Sequence, residues 1–341
     1  MTENVTLSDV ARAAGVSLAT ASRAVNGNIG RGSRSADHKR IAKIAADLGY
    51  VPDAAAQAIA RGRSSILGLL VSDISDLAVT NTLYDVVASA ADAHDLSPSM
   101  TSAGGNPDAV VARVRDMHRQ RARSLVVAAV DGHDLTRVPG LRTALDAFER
   151  GGGRVCTLGF AIEGISSVTV DERGGSHTLA TLLQGVGYRR AAVIAGSSTD
   201  PTHMARRRGL LDGFAAGGHP VAPALVVDGT DEYSATRRLL DPAATRPDVI
   251  VCVSPLETAR VLAAVHDHGL SMPADVALAV CGDAPAATRG LNLARVSTPW
   301  NELAKKAVEF ALLPTLGYPV KHCMEVPPNP VLGSSAPFRA A

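Results

Sequence analysis

Along the first fifty positions apolar residues fall at helical spacing, whereas from Ile66 onward they gather into short continuous runs separated by amphipathic stretches. Leu7, Val10, Ala11 and Ala14 lie at i, i+3, i+4 and i+7 behind Thr6-Leu7-Ser8-Asp9, a capping-box spacing, so a short helix with one apolar stripe is predicted. Gly15 stops it, Val16 is an apolar plug, and Ser17 can cap a second helix. Ala21 and Val25 give that second helix a narrow buried face and leave Leu18, Ala19, Ser22 and Arg23 pointing away. Two short helices joined by a glycine turn make a helix-turn-helix. After a polar Asn26 to Ser35 loop, a third helix to about Leu48 would close the core with Ile41, Ile44, Ala45 and Leu48. Ala54 to Arg61 is alanine-rich and too short to be stable alone, a linker whose helicity depends on what it touches.

The later runs are Ile66 to Val71, Leu125 to Val130, Val155 to Leu158, Ala191 to Ile194, Val249 to Val253 and Val276 to Val280. Apolar runs alternating with amphipathic helices predict parallel strands and crossover connections. The Pro-rich tail from Pro327 to Ala341 reads as extended, and no repeat of fixed period is visible.

Composition adds little until the chain is divided at Ser65. The net charge of +1 hides a head of nine Lys/Arg against five acids, hence +4, on a body of −3, which suggests that the head meets a polyanion. No apolar run reaches a membrane-spanning length and Met1 to Gly15 is polar, so a soluble cytoplasmic protein is expected. Cys156, Cys252, Cys281 and Cys323 are far apart, without metal spacing, and are expected to be small buried hydrophobes.

The run from Leu7-Ser-Asp-Val-Ala-Arg-Ala-Ala-Gly-Val-Ser-Leu-Ala-Thr-Ala-Ser-Arg-Ala-Val to Asn26 resembles the signature helix-turn-helix of the LacI/GalR family of bacterial transcriptional regulators. The likeness continues through Leu48 to Asp53, Ala58-Ile59, Ile66 to Val71, Gly187-Tyr-Arg-Arg190 and Val276 to Asp283. It implies an all-α DNA-binding head (1–50), a hinge helix and linker (51–65), and an α/β periplasmic-binding-protein-like body (66–341) of two Rossmann-like subdomains. Their expected spans are 66–161 with 292–321, and 162–291 with 322–341.

The resemblance places the second helix in the major groove of a double-stranded operator, with Leu18, Ala19 and Arg23 at base-reading positions. Arg23 can pair bidentately with guanine, while the other two offer apolar contact. Thr6, Ser17, Thr20, Ser22 and Asn26 carry donors suited to phosphates. Ala56 and Ile59 fall on the hinge, Ile59 where relatives place a leucine that wedges into the minor groove. The Asn26 to His38 loop looks longer and richer in arginine than is usual in the family.

For the body the resemblance implies a small-molecule effector between the subdomains and a homodimer. The effector positions are Ser75, Asp76, Phe160, Thr202, His203, Arg206, Tyr233, Ser254, Asp283 and Trp300. Acceptors usual in the family are replaced by Ser254-Pro255 and Gly282, with Asp283 the acid left to stand in. Arg206, Tyr233 and Trp300 would then form a donor-rich cleft whose ligand brings its own acceptors, such as a sugar acid, a phosphorylated sugar or a purine-like metabolite. No catalytic residue, metal site or cofactor is expected. His266 and His268 point apart on a helix, and the glycine motifs of dinucleotide enzymes and hydrolases are missing. The expected function is a homodimeric, effector-responsive repressor. The alternative is a solute-binding or effector-independent DNA-binding protein of the same fold.

Overall fold

The computed structural model describes residues 5–25, 36–53, 62–74, 77–130, 134–196, 200–228, 231–241, 246–283, 290–313 and 322–339. The Asn26 to Ser35 loop and the Ala54 to Arg61 hinge therefore lie outside the described residues. The chain forms two compact units, Met1–Ser65 and Ile66–Ala341. Among the described residues no helix is long and apolar enough to cross a membrane.

The head holds α1 (Leu7–Ala14), α2 (Leu18–Val25) and α3 (Ala36–Asp47). Thr6 and Asp9 close the capping box reciprocally, and Gly15 ends α1 at φ +66°, a left-handed turn that lets Val16 donate back to the Ala11 carbonyl. Val10, Ala11, Ala14, Ala21, Ala24, Ile41 and Ala45 form the core, so small side chains let three short helices approach closely. Leu48 was expected in that core but is 40% exposed, because α3 has already ended at Asp47 and the chain turns at Gly49.

The body is two doubly wound lobes. The first sheet comprises β1 (Ile66–Val71), β2 (Ser97–Ser102), β3 (Ser124–Ala128), β4 (Arg154–Leu158), β5 (Ser166–Val170) and β11 (Cys323–Val326), in the order β11-β5-β4-β3-β1-β2. The second comprises β6 (Ala191–Ile194), β7 (Val226–Val227), β8 (Val249–Cys252), β9 (Ala277–Cys281), β10 (Ala294–Ser297) and β12 (Asn329–Val331), in the order β12-β10-β9-β8-β6-β7. Position for position the orders match; the odd member is β12, which runs antiparallel to β10.

Alternate strand residues face opposite helical layers, as the pleat requires. In the first lobe Leu67, Leu69 and Val71 pack towards α4 (Leu77–Ala93) and α11 (Trp300–Leu312). Leu70 and Leu125 pack on the other side with residues of α5 (Pro107–Arg119) and α6 (Leu141–Arg150). In the second lobe Val193 and Val251 meet residues of α7 (Glu172–Gly185) and α8 (Pro201–Ala216), whereas Ile194 and Ile250 meet residues of α9 (Glu232–Leu239) and α10 (Thr258–Asp267).

The chain passes between lobes three times, at 170–172, 297–300 and 326–329. The expected switches after 161, 291 and 321 each came one strand too early. β5, β10 and β11 carry few strongly apolar residues, and pairing at the sheet margin, which no local pattern reveals, decides which lobe each joins. The backbone N–H of Asp171 donates to the Val326 carbonyl at 3.1 Å, tying the first passage to the third. Of the four cysteines, Cys323 is exposed on the margin strand β11, contrary to expectation, and the other three are buried. Burial pushes the Cys156, Cys252 and Cys281 thiols up, which keeps them protonated and unreactive.

Candidate functional site

The head presents one polar and apolar face built on α2. Ser17, Leu18, Ala19 and Arg23 are exposed and Thr20 and Ser22 half-buried, with Leu18 at 52% exposure although the residue is strongly apolar. Ser17 Oγ accepts from the Thr20 backbone N–H at 3.2 Å and lies 2.9 Å from the Thr20 hydroxyl, which fixes the start of the helix. Arg23 Nε donates to the Ala19 carbonyl at 3.2 Å, bracing the guanidinium along the same face and leaving its terminal nitrogens to project. Thr6 differs from its expected role as a phosphate donor. Its backbone N–H and its hydroxyl both donate to Asp9, at 3.0 and 2.6 Å, so both donors are spent on the cap. Asn26, Ala56 and Ile59 lie outside the described residues.

In doubly wound sheets ligands are met at the C-terminal ends of the strands. At that end of the second sheet the structure gathers charged residues, and the helix pair α7 and α8 explains how. A Cβ at Gly209 would stand 2.2 Å from the Arg173 carbonyl oxygen, and one at Gly213 would stand 2.7 Å from that of His177, so glycine lets the two helices lie almost backbone to backbone. One turn before Gly209, on the same face, is Arg206, and this register sets it against Glu172, the first residue of α7. Arg206 Nε donates to Glu172 Oε2 at 2.6 Å, Nη2 to Oε1 at 3.1 Å and Nη1 to the Val253 carbonyl at 3.1 Å. The two side chains are only 12% and 20% exposed. Burial alone would lower the guanidinium pKa, but the Glu172 carboxylate outweighs it and the net shift is upward.

Beside this pair Gly196, just past β6, has φ +61°. A Cβ there would lie 2.6 Å from Glu257 Oε1 and 2.7 Å from His203 Nδ1, so both groups converge on this backbone. Glu257 is buried in a short 3-10 turn, where its Oε2 accepts from the Ser254 N–H at 3.3 Å. Burial raises its carboxyl to about 8, while burial holds the His203 imidazole below its ordinary value. Neighbouring Glu232, also buried, accepts from Arg260 Nη1 at 2.7 Å. Gly282, at φ +111°, would place a Cβ 3.5 Å from Arg206 Nη1, a backbone conformation in which an aspartate would be strained.

Of the expected effector residues, the structure thus assembles His203, Arg206 and Ser254, with Thr202 in the same first turn of α8. The others go elsewhere. Tyr233 donates its hydroxyl to Asp267 at 2.5 Å, at the end of α10 and about 13 to 14 Å along that helix from Thr258. Asp283 accepts from the Ser297 hydroxyl at 2.7 Å and the Thr298 N–H at 3.2 Å, which anchors it at a passage between lobes. Phe160 is buried in the first lobe's core, and Trp300 packs half-buried against that lobe's other cluster. Ser75 and Asp76 lie outside the described residues. Sequence reading missed Glu172, Gly196 and Glu257. Only Glu257 left a local signal, since Ser254-Pro-Leu-Glu257 is itself a capping-box spacing. Among the described residues no cluster of His, Cys, Asp or Glu is arranged to hold a metal ion.

Residues 6–53 match the model of bacterial regulatory proteins of the lacI family, and residues 180–336 match a periplasmic binding protein-like domain. The chain is 29% identical over 298 residues to the HTH-type transcriptional regulator CelR of Thermobifida fusca, covering 83% of each chain. It is 26% identical over 334 residues to the HTH-type transcriptional regulator GalS of Salmonella typhimurium, covering 94% of this chain and 93% of the relative. In fold it is similar to the lac repressor dimer solved with operator and an anti-inducer, at a TM-score of 0.74 with 19% identity, over 98% of this chain and 99% of that one.

Proposed function

We propose that the chain is a bacterial transcriptional regulator of the LacI/GalR type, a cytoplasmic, homodimeric repressor and not an enzyme, whose operator affinity is set by a small molecule held at the strand ends of its body; its match to the lacI-family model in the head and to a periplasmic binding protein-like domain in the body supports this. The observation that carries the DNA-binding part is the outward face of α2. A capped helix exposes Leu18, Ala19 and a braced Arg23, and so offers an apolar patch beside a fork of N–H groups that can meet base edges. The effector part is supported by polar and charged side chains brought together at the C-terminal ends of a parallel sheet. Because one head reads only a half-site, a dimer on a pseudo-palindromic operator is expected.

Selection from a random DNA library, followed by binding measured against salt, tests the reading. Arg23→Ala should cost about 1 to 3 kcal/mol of specific binding and relax base preference at one symmetric position. Unchanged base preference in the variant would remove Arg23 from the readout. A single-headed complex as the tight-binding species would remove the dimer.

A further inference from the structure

We infer that Glu172 sets the charge of the ligand that the second lobe accepts, by occupying Arg206 from within. The site then takes neutral or amine-bearing molecules and rejects phosphate, sulfate and carboxylate groups. The inference rests on reading the strand-end cluster as the effector site, and it reverses the expectation of an anionic ligand drawn from the sequence.

The guanidinium has five N–H groups, and three are engaged, two of them by the same carboxylate. An anion reaching for Arg206 would meet no net positive charge, because the fork that would grip it already grips Glu172. Displacing Glu172 is no remedy, since its carboxylate would be left largely buried without its cation. Glu172 also begins α7, where the free N–H groups of the first turn favour a carboxylate at this position. The surrounding side chains reinforce the exclusion. Asp200 caps α8 by accepting the His203 N–H at 3.0 Å, and Glu232 takes up another nearby guanidinium, Arg260. What remains for a ligand is the two unused N–H groups of Arg206 beside the carboxylate oxygens of Glu172. That alternation of donors and acceptors suits hydroxyl or amine groups.

The test is thermal melting of the full-length protein during titration with sodium phosphate and, separately, sodium formate, at ionic strength held constant with sodium chloride. Wild type should show no saturable stabilisation by either anion. Glu172→Gln should melt lower and regain stability saturably, with an apparent anion affinity at least tenfold tighter than wild type; Glu172→Gln combined with Arg206→Gln should lose that response, which separates the site from anion binding by the basic head. Glu172→Ala, which leaves room for an added carboxylate, is the second variant should the glutamine form fold poorly. Saturable phosphate binding by wild type that Arg206→Gln abolishes would overturn the inference, as would folded Glu172 variants that gain no anion response. Screening wild type with neutral polyols and amines addresses the effector reading separately. No response there, with the anion contrast intact, would sink the effector and leave the charge rule standing.

Discussion

Trp300 and Glu172 hold corresponding places in the two lobes. Each is the first residue of a helix that starts just after the chain passes from one sheet to the other, α11 in the first lobe and α7 in the second. Each helix packs on the one that follows the matching strand, α4 after β1 and α8 after β6. In the first lobe the position is filled by an aromatic ring packed, half-buried, against the apolar cluster. In the second it is filled by a carboxylate held on a guanidinium, with Gly209 and Gly213 drawing the helices together. The same topology is thus closed by dispersion in one lobe and by an ion pair in the other. A contact made of rings and methyl groups offers a polar ligand nothing to exchange, whereas an ion pair does, which makes the second lobe the chemically responsive half.

Breaking each closure should expose that difference. Arg206→Met should have the largest effect, about 2 to 4 kcal/mol lost in denaturant unfolding, because it strands the Glu172 carboxylate and leaves the Val253 carbonyl without its donor. The value is set below that of a fully buried pair because both partners keep some exposure to water. Trp300→Ala should cost somewhat less, about 2 kcal/mol, since the ring is only half-buried, and its cost should be independent of salt and pH. A Trp300→Ala penalty that changed with ionic strength would erase the contrast between the lobes.

The sharpest test, and one of opposite sign, is Glu257→Gln. The carboxyl sits at about 8 in the folded protein against an ordinary 4.5, so between those values the folded state keeps a proton that the unfolded state has released. Stability must therefore fall as pH rises from about 4.5 to about 8, by on the order of 1 kcal/mol per pH unit from this one group. The neutral amide should abolish that fall, so the variant's relative stability should grow as pH rises from about 4.5 and level off near 8. His203 works in another window. Its depressed imidazole favours the folded state at high pH and takes stability away as pH drops below its ordinary 6.5. Melting curves across pH 5 to 9 in wild type and variant would check the sign, and parallel curves would show Glu257 to be ionised throughout.

By itself the sequence determined whatever depends on neighbours within about a turn or two of chain. The Thr6 to Asp9 cap, the Gly15 stop, the exposed face of α2 and the central strands β1, β3, β4, β6, β8 and β9 were all legible, because caps need fixed spacings and strands buried on both faces need unbroken apolar runs. Only the tertiary structure decided the membership of β5, β10 and β11: β5 and β10 stay in the sheet of the strand before them, and β11 returns to pair with β5 far earlier in the chain. The matched order of the two sheets lay equally out of reach, since it repeats connectivity and no residue pattern. So did the fate of Arg206. The chain shows an arginine where the family resemblance implies a ligand contact, but its partner stands thirty-four positions earlier, and the two meet because Gly209 and Gly213 set the register of α7 on α8. Local pattern fixes where a charge sits on a helix; what neutralises it is fixed by which helix lies against it.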